Sequence, residues 1–160
     1  MAGTPATRLL DRRGVPYRLH AYVHDERTTR GDGFGAEAAR ELGLPPERVF
    51  KTLVVDAGSR LAVAIVPVAG ALDLKAVAAA LGVKKVSMAD PGEAERATGM
   101  VVGGISPLGQ KRALPTILDH SARQFRTIFV SAGRRGLDLE LSPGDLVALT
   151  GATVAAVARS

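Results

Sequence analysis

Phe50-Lys51-Thr52-Leu53-Val54-Val55-Asp56, then Ala57-Gly58-Ser59, then Arg60-Leu61-Ala62-Val63-Ala64-Ile65-Val66 is the stretch whose reading decides the fold. Both flanks are β-branched and apolar, and the break between them carries a glycine, so they read as the two arms of a hairpin. Downstream, Asp73 caps a helix from Leu74 to Leu81 that Gly82 stops, and a small helix follows over Pro91 to Thr98. Short strands are predicted at Lys85 to Met88, Met100 to Val102, Leu114 to Leu118, Thr127 to Ser131 and Leu137 to Leu141. Ser142-Pro143-Gly144-Asp145 opens a helix running from Leu146 to Thr150, and a last strand covers Ala152 to Val157. Upstream, Thr4-Pro5 starts a helix over Ala6 to Arg13 that Gly14 ends. Tyr17, Leu19, Ala21 and Val23 then alternate with Arg18, His20, Tyr22 and His24, the pattern of a half-buried strand. Arg27 to Gly35 reads as a loop or lid, and Ala36 to Leu42 as a helix closed by Gly43.

Short strands interrupted by short helices, without regular βαβ alternation, predict an α+β domain around a mixed or antiparallel sheet, with closure into a barrel as one arrangement. The 160 residues suffice for one domain with its own core, and no internal repeat or composition break marks a second. The absence of tryptophan and the 4% aromatic content make that core aliphatic. No stretch approaches the roughly 18 apolar residues of a membrane span, and the N-terminus lacks the pattern of a secretory signal, so a cytoplasmic location is expected. The net charge of +5, with pairs at Arg12-Arg13, Lys84-Lys85, Lys111-Arg112 and Arg134-Arg135, suits a polyanionic partner or a merely solvated surface.

There is no cysteine, which rules out a thiol nucleophile, a disulfide and a thiolate metal site. His20 and His24 have the spacing of a helical zinc pair, but on a strand that spacing separates them by roughly 13 Å. No metal is expected. The glycine-rich run Gly103-Gly104-Ile105-Ser106-Pro107-Leu108-Gly109-Gln110-Lys111 has the composition of a turn that exposes backbone N–H groups to a ligand oxygen, or of a tight structural connection. Ser106 is not a nucleophile elbow, because that motif needs glycine two residues after the serine and Leu108 stands there. Lys51, at the start of an apolar run, could polarise a carbonyl, hold a phosphate or simply extend to water. Asp138, in Leu137-Asp138-Leu139-Glu140-Leu141, shares the polar face of its strand with Glu140. That face is wet unless the sheet curls round a pocket. Ser131-Ala132-Gly133-Arg134-Arg135-Gly136 supplies another glycine-bracketed turn.

Taken in order, Phe50-Lys51-Thr52-Leu53, Pro67-Val68-Ala69-Gly70 with Leu72-Asp73-Leu74-Lys75, Met88-Ala89-Asp90-Pro91, Gly103 to Lys111 and Arg135-Gly136-Leu137-Asp138 resemble the YbaK/EbsC family, from about Thr7 to near the C-terminus. The resemblance implies a mixed, largely antiparallel β-barrel surrounded by short helices. It also implies trans-editing of mischarged Cys-tRNA(Pro), with Cys-tRNA(Cys) as a further substrate, no cofactor, and prolyl-tRNA synthetase as a transient partner. By the same resemblance Lys51, Gly103 and Asp138 are the catalytic residues, and Tyr22, Phe34, Thr52, Gly104, Ser131 and Gly133 bind substrate. The chemistry it implies is substrate-assisted, the cysteinyl thiol attacking its own ester. A related enzyme for another ester such as Ala-tRNA(Pro), or a non-catalytic module that binds aminoacyl-tRNA or a synthetase, are the alternatives. Departures from the family pattern are Ala132 for a common glycine, Phe50 for a tyrosine, and a longer loop before Phe34, with Arg30 and Gly31 to Gly33 added.

Overall fold

The computed structural model describes residues 3–25 and 33–160. In chain order these form α1 (Pro5–Arg13), β1 (Arg18–Ala21), α2 (Gly33–Leu42), β2 (Phe50–Asp56), β3 (Leu61–Pro67), β4 (Ala71–Leu72), α3 (Leu74–Leu81), β5 (Ser87–Met88) and α4 (Pro91–Thr98). They continue with β6 (Thr116–Asp119), a 3-10 turn (His120–Gln124), β7 (Ile128–Arg134), β8 (Leu137–Leu141), α5 (Pro143–Thr150), β9 (Thr153–Ala155) and β10 (Ala158–Arg159).

The hairpin is the centre of the molecule. β2 and β3 pair antiparallel from Phe50↔Pro67 to Asp56↔Leu61. β5 extends the β2 edge, while β6 and then β9 add parallel strands beyond β3, giving the order β5-β2-β3-β6-β9. β3 is apolar without alternation because both its faces are buried. Val63 and Ile65 enter one core cluster with Leu10, Val130 and Leu139, whereas Ala62, Ala64 and Val66 enter another with Val77 and Val157. A second sheet, β1-β8-β7, packs against the first cluster, and a two-stranded ladder joins β4 to β10. The α+β class is therefore as expected. The sheets are joined at one place by the single bridge Val49↔Phe129, and no closed barrel is found among the described residues.

Local capping accounts for most helix ends. Thr4 and Thr7 form a reciprocal capping box at α1, Asp73 accepts from the Ala76 N–H at α3, and Ser142 accepts from the Asp145 N–H at α5. Several expectations change. The helix expected from Ala36 starts at Gly33, despite two glycines, and Phe34 in the added turn packs against His24 and Arg135, tertiary contacts that outweigh propensity; the rest of the expected loop lies outside the described residues. Met100 to Val102 is not a strand: Gly99 ends α4 in the left-handed region, and the buried Met100 sulfur accepts the Ser106 N–H. β1 is shorter than predicted, and as an edge strand it leaves Leu19 38% exposed. No described helix is long and apolar enough to cross a membrane.

Candidate active site

A cavity of about 400 Å³ opens between the start of β2, the β7–β8 sheet, α4 and the loop after it. Its walls are mainly apolar, from Val49, Phe50, Leu53, Met88, Ala89, Val102 and Ile105, with a few polar groups set among them. That is the make-up of a small-ligand site.

The polar groups come from distant parts of the chain. Lys51 and Thr52 sit at the head of β2, half-buried. The Thr52 hydroxyl oxygen is buried without a hydrogen-bond partner among the described residues, a cost of about 1–3 kcal/mol that a ligand could offset. Asp138 stands on β8 opposite Ser131 on β7 and His20 on β1, because antiparallel register puts paired residues on one face. The face expected to be wet is in fact covered: Asp138 is only 5% exposed, and burial pushes its carboxyl up to about 7. Tyr22 is raised to about 12, first by burial and then by the charge of Asp138, so the phenol stays protonated beside the acid.

Gly103 has φ +91°, and a Cβ there would lie 2.7 Å from the Phe34 ring and 2.9 Å from Arg135 Nε. Only glycine fits this position. Arg135 donates from Nε and Nη2 to the Val102 carbonyl at 2.9 and 2.6 Å and lies over the Phe34 ring at 4.6 Å. Phe34 in turn tilts against His24, whose Nδ1 meets the buried Glu37 at 2.8 Å. Phe34 and Val102 line the cavity, and Arg135 and His24 hold them without lining it themselves.

Of the residues expected at the site, Lys51, Gly103, Asp138, Tyr22, Phe34, Thr52 and Ser131 all line this cavity. Gly104 and Gly133 do not. Gly104 is buried, its N–H donates to Val101, and a Cβ would come within 2.7 Å of the Arg134 backbone, so it lets the loop approach the β7–β8 turn. Gly133 lies in the register shift of β7 at φ +111°, with its N–H on the Ser131 hydroxyl. Ser106 is fully buried, its hydroxyl accepting from the Leu108 N–H, and it lies off the cavity wall. None of the three histidines lines the cavity. His20 and His24 instead engage two different carboxylates, Glu140 and Glu37. Sequence reasoning missed Arg135 as a support of the wall, although it stood in a basic pair, a glycine-bracketed turn and the motif Arg135-Gly136-Leu137-Asp138, because none of these shows what its guanidinium touches.

Fold and cavity together define an α+β domain built to enclose a small, partly polar group. The profile of the aminoacyl-tRNA editing domain matches residues 34–149, and the chain belongs to that family. It is 40% identical, over 92% of its own length and 88% of the relative's, to EbsC of Enterococcus faecalis, a protein described as a candidate Cys-tRNA(Pro)/Cys-tRNA(Cys) deacylase. It is also 34% identical over 87 residues to a proline–tRNA ligase of Acidithiobacillus ferrooxidans, a match that covers 54% of this chain and 15% of the ligase. A crystal structure described as a candidate trans-editing enzyme for prolyl-tRNA synthetase superposes with a TM-score of 0.82 at 26% identity, over 99% of this chain and all of the other.

Proposed function

We propose that the chain clears cysteine from mischarged tRNA(Pro) by letting the substrate supply its own nucleophile. The observation that carries this reading is the content of the cavity wall. It gathers Lys51, the Gly103 backbone and Asp138 but, among the described residues, holds no cysteine or histidine, so the Ser131 and Thr52 hydroxyls have no imidazole base in that wall. Such a site can bind and stabilise charge without attacking. In the proposed step the cysteinyl sulfur forms a bond to its own ester carbon and the bond from that carbon to the ribose oxygen breaks. The thiol proton ends on the departing hydroxyl, and the products are a cyclic thiolactone and free tRNA. Intramolecular attack draws its rate from proximity, and the protein's part is to fold the cysteinyl arm and meet the developing oxyanion.

In this reading the Gly103 N–H donates to the carbonyl oxygen, and Lys51 holds the terminal nucleotide's phosphate or ribose. Asp138 as carboxylate receives the substrate ammonium, whose positive charge would draw its proton off near neutral pH. The restricted, mostly apolar wall excludes water from the ester. Docking on prolyl-tRNA synthetase is proposed as the source of tRNA selectivity. It is supported by the matching segment inside a proline–tRNA ligase, where such a domain is part of the same chain.

The test is to incubate the protein with Cys-tRNA(Pro), Ser-tRNA(Pro), Ala-tRNA(Pro) and Pro-tRNA(Pro), following ester loss and trapping thiolactone. Cysteinyl ester should be lost and the seryl ester, which carries oxygen in place of sulfur, largely spared. Retention of the cysteinyl ester overturns the proposal. Loss of alanyl ester instead points to water as nucleophile and a different substrate, and RNA binding without loss of any ester to a non-catalytic module.

A further inference from the structure

A second cavity, of about 390 Å³, opens where α1 meets the far end of the loop that begins at Gly103. Arg8 and Arg12, one helical turn apart on α1, converge there with Arg112 and Gln110 above a floor that includes Leu108 and Leu114. The described wall contains no aspartate or glutamate, and none of the three arginines is in an ion pair among the described residues. Arg8 reaches only the Gly3 carbonyl, at 2.9 Å. Scattered surface cations ordinarily intermix with acids. Three guanidinium groups in one acid-free concavity focus a positive field, and their planar forks match phosphate oxygens.

One loop ties this groove to the proposed active site. Gly103 lines the first cavity, and Pro107, four residues on, lines the second, so the two walls are at most about 14 Å apart along the chain. Resting on the proposed deacylase reading, we infer that the Arg8–Arg12–Arg112 groove holds backbone phosphates of the same RNA whose aminoacylated 3′ end occupies the first cavity.

Binding of uncharged tRNA to the whole protein, measured by fluorescence anisotropy between 50 and 200 mM salt, tests this without requiring turnover. Arg8→Gln, Arg12→Gln and Arg112→Gln should each flatten the salt dependence by about 0.7–0.9 in log K against log salt, and by about 2 to 3 when combined. The combined variant should raise KM for aminoacyl-tRNA and spare turnover of cysteinyl-adenosine, which cannot reach the groove. Lys84→Gln with Lys85→Gln, outside the groove, serves as the control. An unchanged slope in the combined variant overturns the inference. So does equal competition by polyglutamate, which would make the groove a site for acidic protein. Failure of the deacylase reading would appear separately, as wild-type protein that binds tRNA but spares every ester.

A different observation, the paired contact of Arg135 on the Val102 carbonyl, carries a second inference. A peptide is planar and this one is trans, so the Gly103 N–H points away from Arg135 and is fixed by whatever fixes the carbonyl. No hydrogen bond is made by that N–H among the described residues. We infer that Arg135 is a positioning residue that aims the Gly103 N–H at the substrate carbonyl. Arg135→Ala and Arg135→Lys should both lower kcat about tenfold or more, lysine keeping the charge but not the fork, with KM nearly unchanged. Both should shift the Gly103 amide resonance and speed its exchange in the free protein. An unmoved Gly103 resonance, or full rescue of kcat by lysine, overturns the inference.

Discussion

Replacing Asp138 with asparagine should stabilise the protein while impairing it, and the gain should depend on pH in a defined way. Raising a carboxyl from its ordinary 3.8 to about 7 corresponds to about 4 kcal/mol against the ionised form in the folded state. Between those two values the folded protein holds a proton that the unfolded chain has released. Stability from this group is therefore complete below about pH 4, falls as pH rises through the window, and levels off above about pH 7. Asparagine has nearly the same shape and no charge to desolvate. The variant should match the wild type near pH 4 and exceed it by about 4 kcal/mol at pH 8, or roughly 8–16 °C in Tm. Asp119 and Glu140 have lowered values and titrate in the opposite sense, but both are present in each protein and cancel in the difference. Urea unfolding of both proteins at pH 4, 5, 6, 7 and 8 measures it. A difference that stays flat across that range would refute the claim that Asp138 is a desolvated acid. If the same carboxylate receives the substrate ammonium, turnover should fall as stability rises, the expected exchange at a functional site.

Gly103→Ala should reduce deacylation by at least tenfold in single-turnover assays and cost about 1–3 kcal/mol in urea unfolding, because the new Cβ meets the Phe34 ring at a backbone angle alanine disfavours. Lys51→Ala should abolish turnover with little loss of stability, and unchanged turnover would remove Lys51 from the mechanism. Thr52→Val keeps the shape and deletes a buried hydroxyl that has no described partner, so Tm should hold or rise while ester cleavage slows. Glu37→Ala should cost about 3 kcal/mol in urea unfolding, since its oxygens meet His24 Nδ1 and the Asp25 N–H at 2.8 Å and the residue is 1% exposed.

The sequence by itself determined the elements whose ends are local events. Thr4-Pro5 with Gly14, Asp73 with Gly82 and Ser142-Pro143 mark helices because a cap is satisfied within three residues of itself, and the 50–66 hairpin was legible from two β-branched runs flanking a glycine. Family resemblance in ordered motifs pointed to Lys51, Gly103 and Asp138, and these do share one cavity. What the sequence could not decide was environment. An Asp in a Leu-Asp-Leu-Glu-Leu strand has the same pattern whether its face meets water or a pocket, and only tertiary packing, which sets that face in one cavity wall with β2, Phe34 and the loop at Gly103, buries Asp138 enough to lift its pKa. Gly104 and Gly133 carried the same composition as Gly103, yet close backbone approach and a strand irregularity account for them. Arg8, Arg12 and Arg112 are about a hundred positions apart at the extremes, so no local pattern joins them. Charge and hydrogen-bond energies depend on distance and desolvation, which are properties of the assembled tertiary structure, whereas caps and turns depend on a few consecutive dihedral angles.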